Sequence, residues 1–176
     1  MKVFLIVVLV IVGLFFVKLV VARRKFTKRW KQEEEYALQI SRKVYEPLSL
    51  SERYAFIFVF DVFMKNIRTS VRDIAIAHHQ IELESKALGV TVKDADSFFA
   101  AEGFDRGISH SMRLLCDIKE KNKNILDFLI YRCSTFVKRA CGRDRQTGMD
   151  CKEISERLFT RMFTSIGYTE GELAEI

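Results

Sequence analysis

The sequence predicts an all-α protein. Its 176 residues include a single proline, Pro47, and only eight glycines, so few positions oppose helix formation. Beyond the N-terminal region, apolar side chains recur every three or four positions, which is the spacing of one face of an α-helix. We therefore expect a single N-terminal transmembrane helix and a compact helical-bundle domain of about six helices. The predicted parts are an anchor (1–22), a basic juxtamembrane segment with a helical stalk (23–46) and a soluble domain (47–176).

The first element is an apolar segment from Val3 to Ala22 that only Lys18 interrupts. Twenty helical residues at about 1.5 Å each extend roughly 30 Å, the thickness of the hydrocarbon core of a bilayer. Lys18 lies close enough to the end of the segment to extend its amine toward the headgroups. The segment is thus predicted to be a transmembrane helix that acts as an uncleaved signal-anchor.

A cleaved leader is the main alternative for this segment. Met1 and Lys2 provide a positive start, and Val20-Val21-Ala22 loosely resembles a small-residue cleavage site. However, no polar region precedes that site, and arginines follow it directly. The anchor is therefore preferred, and an envelope or secreted effector with a cleaved leader stays as an alternative.

A basic cluster follows the anchor and predicts its orientation. Six basic residues stand on this side against Lys2 on the other, and basic residues are enriched on the cytoplasmic side of a membrane. We expect the N-terminus outside, the C-terminal domain in the cytoplasm, and contact of the cluster with acidic lipids. The cluster consists of Arg23, Arg24, Lys25, Lys28, Arg29 and Lys31.

The net charge of +6 does not indicate a nucleic-acid partner, because the positive surplus is confined to one end. Residues 1–31 hold eight of the 29 Lys and Arg residues and no acid, which leaves 21 basic against 23 acidic residues from residue 32 onward. The domain itself is close to neutral, whereas binding to phosphates requires a basic surface. Membrane topology accounts for the surplus, and we expect no nucleic-acid binding.

The stalk helix should run through Trp30 to about Tyr45 and end before Pro47. Ser49 and Glu52 then have the spacing of a capping box, so a second helix should begin near Leu50.

This second helix contains an apolar run, YAFIFVFDVFM, at residues 54–64. Eleven residues are too few to cross a bilayer, so the default is the central helix of a bundle, with a β-strand as the alternative for such a short run. Asp61 is the one acidic group in it, and a buried carboxylate should be paired. Part of the run is also a candidate protein interface, formed by Phe56, Phe58, Phe60 and Phe63.

A third helix is expected over about Thr69 to Leu88, closed by Gly89. His78 falls on the same stripe as Ile81 in this interpretation, and His78, His79 and Glu82 are the nearest approach to a set of metal ligands. Adjacent histidines point about 100° apart on a helix and do not converge easily. We therefore predict no metal site and no cofactor, with His78 the more buried histidine.

The remaining elements are shorter helices whose ends are marked by capping residues. They are expected from Thr91 to Ala101, from about Ser109 to Lys121, from Ile125 to Cys141, from Asp150 to Gly167, and after Thr169.

Two further polar groups have structural explanations in the sequence. The four cysteines lack the spacing of a zinc site, and Cys133 shares an apolar stripe with Leu129. We expect reduced thiols, although a body outside the cell would make a disulfide between Cys141 and Cys151 plausible. The segment GFDRGISHS, residues 103–111, contains Ser, His and Asp, but a cluster local in sequence is more typical of a turn with helix caps than of a catalytic triad.

No known catalytic signature occurs in the chain, and we found no internal repeat. The sequence thus predicts a membrane-anchored cytoplasmic module for interaction or assembly, a scaffold or adaptor without catalytic residues or a small-molecule substrate. Its expected partners are the membrane and either another protein or a second copy of the chain. The alternative enzyme would be a helical metal-dependent hydrolase that uses His78, His79 and Glu82.

Overall fold

The computed structural model describes residue 23 and residues 27–67, 71–101, 103–138, 140 and 148–176. These residues form seven helices and no β-strand, which confirms the predicted all-α class. We number the helices α1 (27–45), α2 (Leu50–Asn66), α3 (Val71–Leu88), α4 (Val92–Ala100), α5 (Phe104–Val137), α6 (Cys151–Thr164) and α7 (Glu170–Glu175). The chain divides into two compact units, Met1–Ile40 and Ser41–Ile176.

The described part of the first unit is residue 23 and residues 27–40 of α1, all within the predicted stalk. Most of its side chains are exposed, among them those of Trp30, Tyr36 and Ile40. The apolar segment Val3 to Ala22 lies outside the described residues, so the predicted anchor stays a prediction. Within the described ranges, no helix has both the length and the apolar character that a membrane crossing requires.

In the second unit, α2 is the central helix. It packs against α3, α4, α5 and α6, and most of its side chains from Ala55 to Met64 are buried. Since neighbours surround it on several sides, an apolar run without a polar face is what its position requires. The helix is continuous across the run, so the β-strand alternative was wrong.

The start of α2 has the predicted capping box. The Ser49 side chain accepts a hydrogen bond from the Glu52 amide, and the Glu52 carboxylate accepts one from the Ser49 amide at 2.8 Å. α1 ends at residue 45, just before the turn that contains Pro47, because a proline disfavours helical geometry in the residue that precedes it. Local sequence therefore sets the connection from α1 to α2.

Two capping residues join α3 to α4. Gly89 has a φ of 69°, the left-handed conformation that glycine adopts most easily after a helix. Thr91 then accepts a hydrogen bond from the Asp94 amide at 3.1 Å. Both features agree with the sequence-based prediction, and α4 itself ends at Ala100.

Helix α5 differs from the prediction at its start. It begins at Phe104, so Ser109 lies inside the helix and is not its N-cap. A Cβ atom added at Gly107 would lie 2.7 Å from the backbone carbonyl oxygen of Phe99. Gly107 therefore does not mark a turn; its missing side chain allows α5 to lie directly against the end of α4.

Further along, α5 contains the interruption that the sequence predicted. Asn122 has φ −156° and ψ 83°, which are not helical values, so two helical segments meet there. The second segment ends at Val137, earlier than the predicted Cys141, which lies outside the described residues.

The last two helices begin at the predicted caps. Asp150 accepts a hydrogen bond from the Lys152 amide at 2.7 Å. Thr169 and Glu172 form a second capping box at the start of α7. The Glu172 carboxylate accepts a hydrogen bond from the Thr169 amide and lies near the ammonium of Lys123. Both contacts stabilise its charged form and lower the pKa of Glu172 to about 2.

Candidate functional sites

The four candidate interface phenylalanines of α2 lie in the core of the second unit. Phe56, Phe60 and Phe63 are fully buried, and Phe58 nearly so. The ring of Phe58 lies 5.0 Å from that of Phe99, measured between ring centroids. An interface built on these residues would need them exposed, so the structure corrects that alternative in favour of core packing. The physical reason is that α3 to α6 already cover the apolar run.

Asp61 is buried in the same helix and is paired, as the sequence predicted. Its Oδ2 lies 2.5 Å from the Lys65 Nζ one turn later, and the lysine remains exposed to solvent. Asp96 of α4 is close by: partial burial raises its pKa, Lys65 opposes that rise, and the negative charge of Asp61 adds to it. The ion pair explains how a carboxylate is tolerated inside this apolar helix.

A second buried carboxylate, Glu84 of α3, was not identified from the sequence. Its side chain is 1% exposed, and two groups from other helices contact it. The Tyr45 hydroxyl at the end of α1 donates to Glu84 Oε2 at 2.7 Å, and Arg132 Nη2 of α5 lies 2.7 Å from Oε1. Burial, followed by the negative charge of Glu84, raises the pKa of Tyr45 well above its ordinary value. The hydroxyl therefore stays protonated and acts as a donor.

Arg132 connects this carboxylate to the surface of α5. Its Nη2 also donates to Gln80 Oε1 at 2.5 Å, whereas its buried Nε finds no hydrogen-bond acceptor in the part of the chain that the structure describes. The buried thiol of Cys133 lies beside Glu84, and burial raises its pKa. Burial favours the protonated thiol. The hydrogen bond and the ion pair of Glu84 join the end of α1 to α3 and α5.

The predicted order of burial for the two histidines was wrong. His78 is exposed, His79 is half-buried and Glu82 is exposed. The buried face of α3 contains Ile81, Glu84 and Leu88. The predicted stripe followed apolar residues and did not include Glu84. At 3.6 residues per turn, a helical face that contains Ile81, Glu84 and Leu88 leaves His78 at its edge. No group of three potential metal ligands occurs among the described residues.

The Ser, His and Asp segment at 103–111 is helical and not a turn, so its residues lie along the first turns of α5. The His110 ring is 5.6 Å from that of Phe99 and 6.1 Å from that of Phe98, measured between centroids. Ser111 is buried and donates to the carbonyl of Ile108 at 2.8 Å. These contacts connect α4 with α5, and the serine is engaged with its own helix.

Lys121 joins the break in α5 to the start of α2. Its Nζ lies 2.9 Å from Glu52 Oε1, the carboxylate that also closes the capping box. Burial opposes ionisation of Glu52, but hydrogen bonds from Ser49 and Lys121 outweigh it, so the pKa of Glu52 is lowered. The same hydrogen bond raises the pKa of Lys121.

A similar cluster fixes the C-terminal helix. The Tyr168 hydroxyl donates to Asp127 Oδ1 at 2.7 Å, and the ammonium of Lys119 lies 4.2 Å from the centroid of the Tyr168 ring. Lys119 also donates to the Gly167 carbonyl, and Lys123 pairs with Glu172 of α7 at 3.2 Å. Burial, followed by the hydrogen bond to Asp127, raises the pKa of Tyr168. These contacts join α7 and the turn before it to α5.

Four members of the predicted lipid-contacting cluster are described: Arg23, Lys28, Arg29 and Lys31. All four are helical and exposed, the geometry that contact with headgroups requires. Arg24 and Lys25 lie outside the described residues. The sequence pattern alone identified this set.

Comparisons of the chain with protein-family models, with curated proteins and with solved structures found no match. The functional proposal therefore rests on the sequence and structure of this chain.

Proposed function

We propose that the protein is a membrane-anchored module for interaction or assembly, with its N-terminus outside and its helical domain in the cytoplasm. The observation that carries this proposal is the apolar segment Val3 to Ala22, followed at once by the basic cluster. The exposed basic side chains of the cluster support it, because they are free of the core and able to lie at a lipid surface.

The polar groups inside the body support a structural role over a catalytic one. Asp61, Glu84 and Glu52 are buried, and each is paired with a basic side chain of the same unit. Catalytic groups are usually found in clefts with a perturbed pKa and an open approach for substrate. These three carboxylates instead connect or stabilise helices. In the proposal the module acts without cofactor, small-molecule substrate or nucleic acid, and its partners are the membrane and a protein.

The membrane anchor is tested by alkaline extraction of membranes from cells that express the full-length chain. We expect the protein to stay in the membrane pellet, because about twenty apolar residues hold it in the bilayer. A variant with Val8→Arg and Val10→Arg serves as the matched control and should move to the supernatant, since a charge near the bilayer centre costs about 3 kcal/mol.

N-terminal sequencing of the retained protein completes this test. The proposal predicts that residues 1–22 are still present. A mature chain that begins near Arg23, or complete release of the unmodified chain by alkali, would contradict the anchor and favour the alternative with a cleaved leader.

A further inference from the structure

The stalk carries an apolar stripe with the spacing of a coiled coil. Trp30, Glu33, Ala37 and Ile40 follow one another at intervals of three, four and three residues, which correspond to heptad positions a, d, a and d. Three of the four are apolar or aromatic. A stripe with this period on a helix is typical of a seam against another helix.

All four side chains of the stripe are exposed, and those of Trp30 and Ile40 are large and apolar. Trp30 is 55% exposed and Ile40 is 40% exposed, while Ala37 is also exposed. The neighbouring Tyr36, at 66%, extends the apolar surface at position g. Exposed apolar residues scattered singly need no explanation. Three of them at heptad spacing, interrupted by Glu33, instead favour a helical partner.

The charges beside the stripe fit a second copy of the same helix. In this register Arg29 occupies position g and Glu34 occupies position e of the next heptad. In a parallel pair of helices, a g residue of one chain faces the e residue five positions later in the other, so two Arg29 to Glu34 pairs would form by symmetry. Opposite charges at these two positions favour a parallel homodimer.

We propose that the stalks of two copies of this chain pair as a short parallel coiled coil along Trp30, Glu33, Ala37 and Ile40. The proposal rests on the proposed membrane anchor, which would hold both copies in the same orientation and so selects the parallel arrangement. It identifies the partner of the module as a second copy of the chain.

The seam is too short to be stable alone, and the anchor supplies what it lacks. Isolated helices shorter than about 12–15 residues are marginal in water, and Glu33 at a d position places two carboxylates against each other. Two chains in one membrane meet at a high effective concentration, which a weak contact can use. We therefore expect a pair that forms in membranes and exchanges readily.

Disulfide cross-linking of the full-length protein in isolated membranes tests the proposal. With Ala37→Cys, mild oxidation should convert most of the protein to a covalent dimer, because the two a positions face each other across the seam. Glu35→Cys is the matched control: position f faces away from the seam, and its dimer yield should equal that of the unsubstituted chain with its four native cysteines. Equal yields for the two variants, or no dimer with Ala37→Cys, would overturn the proposal.

Exchanging the charges of Arg29 and Glu34 tests the parallel register with a second set of variants. In the Ala37→Cys background, Arg29→Glu should lower the dimer yield roughly three- to tenfold, as expected for the loss of two surface ion pairs. The double variant Arg29→Glu with Glu34→Arg keeps the net charge and should restore the yield. A double variant as weak as the single one would show that the charges do not face each other, and would overturn the parallel register.

Failure of the pair and failure of the anchor are distinguishable. A chain that alkali cannot extract but that shows no specific cross-link contradicts only the stalk pairing. A chain released by alkali that still cross-links at residue 37 contradicts the anchor and shows that the stalks pair without its help. Release by alkali without a cross-link contradicts both.

Discussion

Replacing Phe63 with alanine is expected to lower the free energy of unfolding by about 3–5 kcal/mol, the usual cost of removing a buried phenylalanine from a packed core. Phe63 is 0% exposed and lies in the central helix α2. Its ring contacts Phe159 and Phe163 of α6, with centroids 6.2 and 6.5 Å away. Truncation would thus leave a cavity between two helices that cannot easily close.

Urea denaturation of the full-length chain in detergent micelles, followed by circular dichroism, measures this loss. Leu50→Ala is the matched control, because Leu50 belongs to the same helix but is 59% exposed and should change stability by less than about 1 kcal/mol. If Phe63→Ala unfolds at the same urea concentration as the unsubstituted protein, α2 is not the centre of the core.

Replacing Arg132 with methionine is expected to destabilise the body by about 3–5 kcal/mol, toward the lower value because the arginine is partly exposed. The change leaves the Glu84 carboxylate buried, with only the Tyr45 hydroxyl to stabilise its charge. Removing one partner of a buried ion pair costs more than removing both, since a lone buried charge has lost its solvation.

The double variant Glu84→Leu with Arg132→Met is the control for this prediction. It should be more stable than Arg132→Met alone, because the uncompensated charge has gone, although the Tyr45 hydroxyl then loses its acceptor. The same urea titration measures both variants. Additive losses in the double variant would show that Glu84 and Arg132 are not coupled, contrary to the distance between them.

The ends of the helices were predictable from sequence because capping is local chemistry. Ser49 with Glu52, Thr169 with Glu172, and Gly89 each act within a few residues, so their spacing alone indicates the structure. The break in α5 also falls where the sequence predicted the end of one helix at about Lys121 and the start of the next at Ile125. The start of α5 was not predictable in this way, because Ser109 has the chemistry of an N-cap in the sequence, whereas the helix begins at Phe104. Gly107 lies inside the helix, against the backbone of Phe99, which only the fold brings close.

The buried polar cluster was not predictable in the same way. Glu84 lies three residues after Ile81 and four before Leu88, so it occupies an apolar face where a carboxylate is not expected. Its partners Tyr45 and Arg132 are 39 and 48 residues away in sequence, and only the fold brings them together. Leaving Glu84 out shifted the assigned stripe and gave His78 the wrong position. A polar residue at the exact period of an apolar stripe is the one signal that was available.

The most direct test of the central claim is the side of the membrane on which the body lies. A reporter enzyme that is active only in the cytoplasm, fused after Ile176, should be active in cells that express the full-length chain. Neutral replacements of all six residues of the basic cluster should give mixed or inverted orientation, because only Lys2 and the amino terminus would then bias insertion. Full cytoplasmic activity in the parent fusion is the predicted result, and activity confined to a reporter that works outside the cytoplasm would contradict the account.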